Sequence, residues 1–185
     1  MSERTPASRG TVSLRSEEFM EQVMETYGGS VYLVALNQVR SAHDAQDIAQ
    51  DVFVRLLTND AEFADDEHLK AWLLRTCINR CHDLGRSAWQ RRVVGADGLE
   101  SNVASPSACS AEDEALSGIE GHPVWLALSR LPDRLRIVAH LHYVEELGCE
   151  EIAKVCGIRP ATARTRLYRA RAQMRKMLEA EEAKR

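Results

Sequence analysis

Leu147–Arg175 reads LGCEEIAKVCGIRPATARTRLYRARAQMR, which is a short helix, a glycine turn and a second helix loaded with arginine. Glu151, Ile152 and Ala153 open the short helix. Gly157 stands where a tight turn needs a residue tolerant of positive φ. Ile158 can drop between the helices, and Pro160 suits the first turn of the next one, where its missing N–H costs nothing. No Asp or Glu occurs from Lys154 to Leu178, whereas Lys154, Arg159, Arg164, Arg166, Arg169, Arg171, Arg175 and Lys176 are basic. The chain carries a net charge of -4, so this concentration is local and needs a local cause. The layout is that of a helix-turn-helix, whose second helix enters the major groove of DNA. Ala163, Leu167, Ala170 and Met174 form its apolar side; Thr162, Arg164, Thr165, Tyr168 and Arg169 point elsewhere. A merely solvated helix mixes charge signs, and this one does not.

The remainder agrees with an all-α chain. Its 185 residues suffice for one domain or two small ones. Apolar content is 44 %, aromatic content only 5 %, and runs of β-branched residues are scarce. Ala, Leu, Glu, Arg and Gln dominate, which favours helix. The polar start, Ser2 to Arg15, predicts a disordered tail over 1–15 without an apolar signal region. No run approaches the roughly 20 apolar residues of a membrane span, so the expected location is the cytoplasm, with no membrane insertion.

Phe19, Met20, Val23 and Tyr27 recur at helical spacing, and Val31, Leu33, Val34, Leu36 and Val39 continue the pattern beyond Gly28 and Gly29. Ser41 followed by Asp44 resembles a capping box ahead of the stripe Ala45, Ile48, Ala49, Val52, Phe53, Leu56. A polar break, Thr58 to Glu67, precedes a helix with Leu73, Cys77, Cys81 and Leu84 on one side. Periodicity stops after Arg92. The stretch 93–122 is acidic and rich in Gly and Ser, which predicts a flexible linker with a short helix near Glu112 to Leu116. A second domain, 123–180, begins with Trp125, Leu128 and Leu131, is punctuated by Pro132 and continues with Leu135, Val138, Leu141 and His142. The expected organisation is therefore two small helical domains, the first over 16–92, joined by a flexible linker.

Nothing resembles a nucleophile triad, a phosphate loop or a metal cage, so no catalytic residue and no cofactor is expected. Cys77, Cys81, Cys109, Cys149 and Cys156 are odd in number and follow no disulfide framework. Cys77 and Cys81 lie one helical turn apart, and His82, His140 and His142 could join them. Without a CxxC or HxxxH pair, small apolar residues in a reducing compartment is the better reading, and no metal is expected.

Three stretches carry a resemblance: DAQDIAQDVFVRLL (Asp44 to Leu57), AWLLRTCINRCHDLGR (Ala71 to Arg86), and Leu131 to Arg175. In this order, and with that linker, the chain resembles the extracytoplasmic-function (ECF) sigma factors of bacterial RNA polymerase. It departs from them at Gln46 and Asp51, where the family usually has Glu, at Thr76 and Cys77, and at Ala163, where a larger β-branched residue is common. The resemblance implies two helical domains and partners in core RNA polymerase, promoter DNA and an anti-sigma factor. It implies that Asp44, Asp47, Gln50 and Asp51, opposite the apolar stripe, dock on a coiled coil of the polymerase. Arg75, Asn79, Asp83 and Arg86 would meet the −10 element and aid strand separation, with the loop Thr58–Glu67 holding a flipped base. Trp72 reads as core, and Trp89 as the better candidate for nucleic-acid contact. In the second domain Thr162, Arg164, Thr165, Arg166, Tyr168, Arg169 and Arg171 would meet the −35 element. Arg164 and Thr165 are placed for base edges; Arg166, Arg169 and Arg171 are placed for phosphates. The other readings are a stand-alone helix-turn-helix regulator, for which the acidic helix has no use, and a sigma-like protein-binding adaptor.

Overall fold

Ser16 opens the first helix by accepting the Phe19 N–H at 3.3 Å, and Glu17 and Glu18 follow at the helix's positive end. The computed structural model describes residues 15–94 and 123–182, the side chains of 86–94, Pro123 and Glu182 excepted. The described residues form seven helices and no strand: α1 (Glu17–Val39), α2 (Ala42–Leu57), α3 (Asp66–Val94), α4 (Pro123–Ser129), α5 (Asp133–Tyr143), α6 (Cys149–Cys156) and α7 (Pro160–Glu182). Residues 1–14, the linker segment 95–122 and the short helix expected near Glu112 lie outside the described residues.

Several boundaries differ from the sequence reading. Arg15, expected at the end of a disordered tail, is fixed. Its guanidinium lies 5.1 Å from the centre of the Phe19 ring and 5.0 Å from that of Phe63, and donates to the carbonyls of Leu56 and Ala61. A planar cation can stack on aromatic faces and donate at its edge together, which an N-terminal Arg finds only in the folded chain. The polar break is shorter than expected, because Asp65 Oδ1 accepts the His68 N–H at 2.7 Å and α3 starts at Asp66. At its far end α3 runs on to Val94, past the residue where apolar periodicity stops; helical hydrogen bonding does not need an apolar stripe.

In the first half, α2 buries Ala45, Ile48, Val52, Phe53 and Leu56, and α3 buries Leu69, Leu73, Leu74, Cys77, Ile78 and Cys81. In the second, α4 and α5 pack on the far part of α7 around Leu128, Leu131, Ala139, Ala170 and Met174. The two halves do not stand apart. Ile137, Val138, Leu141, Ile152, Ala153, Val155, Ala163 and Leu167 belong to the same buried cluster as the core of α1–α3. α5 packs on α1 and α6 packs on α3, covering apolar surface that α1–α3 do not cover among themselves.

α1 runs unbroken through Gly28 and Gly29, and a Cβ at either would meet nothing within 4 Å. Glycine inside a helix costs about 0.5–1 kcal/mol relative to alanine. Gly28→Ala and Gly29→Ala should therefore each stabilise the chain by about that amount in urea denaturation. A loss of stability in either variant would show that the helix needs glycine there.

Candidate nucleic-acid interface

The turn into α7 is built from four local devices. Glu151 accepts the Gly148 N–H at 2.6 Å, which starts α6 at Cys149, two residues earlier than the sequence suggests. Gly157 adopts φ 64° and closes α6, as its position requires. Ile158 donates its N–H to Ala153 O at 3.0 Å and packs against the core. Pro160 is the first residue of α7.

The apolar side of α7 is buried: Ala163, Leu167, Ala170 and Met174 are each less than a tenth exposed. Opposite them Arg164, Thr165, Tyr168, Arg169 and Arg171 are exposed, while Thr162 and Arg166 are half-buried at the edge. Tyr168 is 75 % exposed, an aromatic ring that packing within the chain does not account for. Thr165 Oγ1 donates to Ala161 O at 2.9 Å, so its hydroxyl is already turned to its own helix and its methyl faces out. Two arginines are held from outside α7. Arg164 Nη2 lies 3.1 Å from Glu150 Oε1, and Arg171 Nε donates to the Tyr143 hydroxyl at 2.9 Å.

On α3, Arg75, Asn79 and Asp83 are exposed; the side chains of Arg86 and Trp89 lie outside the described residues. Trp72 is half-buried, edge-on to Phe63 at 5.8 Å. The acidic set of α2 does not form a single face. Asp44, Asp47 and Asp51 line a cleft of about 480 Å³ against α3, together with Arg80 and Asp83, and Asp51 forms an ion pair with Arg80. Gln50 lies instead on a groove of about 680 Å³ between α1 and α2, floored by Met20, Met24, Phe53 and Val54. A helix packed on two sides by α1 and α3 has two exposed edges rather than one opposite face.

The two halves match two separate family models. The model for Sigma-70 region 2 matches residues 23–91, and that for Sigma-70 region 4 matches 122–174. Sigma-H factor of Pseudomonas aeruginosa is 30 % identical over 152 residues, covering 76 % of this chain and 76 % of that protein. The ECF sigma factor SigW of Bacillus subtilis is 27 % identical over 169 residues, covering 88 % of this chain and 90 % of its own. The chain belongs to the ECF sigma factors of bacterial RNA polymerase. The fold is also that of the sigma factor RpoE of Bartonella quintana, solved with the anti-sigma factor NepR (TM-score 0.65, 21 % identity, covering 89 % of this chain and 98 % of that one).

In this ECF sigma factor, regions 2 and 4 meet along a polar seam inside the shared core. Asn37 of α1 donates from Nδ2 to His140 Nδ1 of α5 at 3.0 Å, both side chains buried. Beside that bond two arginines reach across in opposite directions. Arg40 of region 2 donates to Ser129 O at 2.6 Å, and Arg136 of region 4 donates to Gln38 O at 3.4 Å. Arg136 is only 1 % exposed; it also takes Leu131 O and an ion pair with Asp133. Both cations sit at the C-terminal, negative end of α1. Further along, Lys70 of α3 pairs with the buried Glu145 at 2.9 Å. Sequence reasoning missed the seam entirely; a mid-helix Arg and His look the same whether they face water or a neighbouring domain.

The hydrogen bond with Cys81, and then burial, raise the Cys77 thiol, and burial raises Cys156 to about 11. Both are thiols at neutral pH, whereas metal ligation and redox attack need thiolate. No group of three or more His, Cys, Asp or Glu among the described residues could hold a metal. Nor is any helix there long and apolar enough to cross a membrane.

Burial lowers His140 from 6.5 to about 4, with the Glu145 carboxylate pulling partly the other way. The folded chain thus keeps the ring neutral where the unfolded chain would charge it. Its share of stability is intact above pH 6.5 and is lost progressively as pH falls toward 4, about 2 kcal/mol being gone by pH 5. His140→Gln, which cannot charge, should flatten the stability–pH profile between pH 7 and 5 relative to the parent. Parallel profiles would place the ring in contact with water.

Proposed function

We propose that this ECF sigma factor binds core RNA polymerase, recognises a promoter with both regions and aids strand separation, acting by binding rather than by catalysis and working in the cytoplasm. The observation that carries the reading is α7: a helix with no acid before Glu179, a buried apolar side and an exposed face of Arg164, Thr165, Tyr168, Arg169 and Arg171, on a chain of net charge -4. That face, edged by Thr162 and Arg166, meets the −35 element. Arg75, Asn79, Asp83 and Arg86 of α3 meet the −10 element. The loop before α3 is pinned by Phe63 and Arg15, a firm rim for a base turned out of the stack.

Docking on polymerase falls to both exposed edges of α2: the carboxylates Asp44, Asp47 and Asp51 on one and Gln50 beside the apolar groove on the other. The fold shared with a sigma factor bound to its anti-sigma factor supports control of this chain by such a partner as well.

The −35 and −10 elements lie roughly 25 base pairs apart, about 85 Å at 3.4 Å per step. A compact body of this size is only about 40 Å across. The seam between the regions must therefore open before both elements are engaged. Separate, each region offers few contacts, and tethering both on polymerase supplies the effective concentration that specific binding needs.

Run-off transcription with purified core polymerase, on DNA from upstream of the chain's own gene, tests the proposal. A discrete transcript dependent on the chain supports it; tight sequence-specific binding by the free chain without transcription would favour a stand-alone regulator. Asp47→Lys should weaken core binding at least several-fold with unchanged circular dichroism. Asp47 is exposed, so its replacement spares the ion pair between Asp51 and Arg80. Undiminished binding by the folded variant would move docking off the acidic edge.

A further inference from the structure

The two arginines held from outside α7 have holders of different charge. Arg164 is gripped by a carboxylate, Glu150, and Arg171 by a neutral phenol, Tyr143. Glu150 lies in the first turn of α6, fourteen residues before its partner. Of its neighbours, Glu145 takes Lys70 and Glu151 caps Gly148. Since α7 itself has no acid before Glu179, Glu150 is a carboxylate that the turn delivers to an otherwise cationic face.

Stability does not explain the pair. Its side chains are 60 % and 68 % exposed, and exposed ion pairs add next to nothing to folding. Attraction to DNA does not explain it either, because a carboxylate there repels phosphate. Geometry does. A guanidinium has five N–H donors in a rigid fork. One bond to Glu150 engages Nη2, biases the side chain toward that side and leaves adjacent donors for the two acceptors of a guanine edge, O6 and N7. The carboxylate also cancels the charge that would otherwise draw Arg164 to the backbone. Arg171 keeps its full charge, as a phosphate clamp needs.

We propose that Glu150 is a positioning residue for −35 specificity: it orients Arg164 toward a guanine edge and withholds it from the phosphates. This rests on the reading of α7 as the −35 helix.

The test uses the holoenzyme, bound to a panel of single-base-pair −35 variants at several salt concentrations. Glu150→Gln keeps the shape and removes the charge. It should cut discrimination at one or two base pairs about tenfold while steepening the salt dependence by about one unit, the mark of an unmasked cation. Glu150→Asp should retain much of the discrimination. The double variant with Arg164→Ala should discriminate no worse than Arg164→Ala alone, and Arg171→Ala should weaken the whole panel evenly. A Glu150→Gln holoenzyme with the parent's preferences and salt slope, or one weakened evenly across the panel, overturns the proposal. So does an Arg164→Ala holoenzyme that discriminates as the parent does. A parent holoenzyme with no −35 preference instead defeats the underlying reading of α7.

Discussion

The buried hydrogen bond between Asn37 and His140 governs how this chain is put together. It joins α1 of region 2 to α5 of region 4 inside an apolar cluster, where a polar group left without its partner costs more than the bond itself contributes. Its neighbours follow from it. Arg40 and Arg136 reach carbonyls across the same seam, Lys70 meets Glu145 on its flank, and burial favours the neutral His140 ring. An apolar seam would hold the regions together indiscriminately. The polar groups set a single register within the apolar contact. The seam also leaves the exposed faces of α3 and α7 outside, so docking restricts where those faces stand without covering them.

Charge is segregated to the same end. Arginines gather on α7, while carboxylates gather on one edge of α2 with Asp83 of α3 beside them. A net negative chain has little general affinity for a polyanion, so a cationic helix is useful only where other contacts bring it to DNA. Polymerase supplies those contacts. Within α7 the same economy recurs at smaller scale, with one arginine neutralised by Glu150 and another left charged beside Tyr143.

What the sequence discloses and what it hides divide along a physical line. Gly157 at φ 64°, Pro160 at the start of α7 and the buried row Ala163, Leu167, Ala170 and Met174 are legible, because turn chemistry and helical period are local properties. Ala163 is fully buried. The seam is hidden because Asn37, Arg136 and His140 become core residues only through a partner about a hundred positions away. The division of α2 into two edges is hidden for a related reason. Asp51 and Gln50 are adjacent in sequence, and only the placement of α1 and α3 sends one to the cleft and the other to the groove. Glu150 reads as an ordinary first-turn acid until the fold sets it beside Arg164.

A chain joined by that seam cannot span two promoter elements, so its regions must separate on the promoter. The separation can be followed as the distance between labels at the exposed Glu21 of α1 and Gln173 of α7, in the free chain and in a transcribing promoter complex. One short distance is expected in the free chain, with an increase of several tens of ångströms on the promoter. An unchanged short distance in complexes that make transcript would contradict that separation.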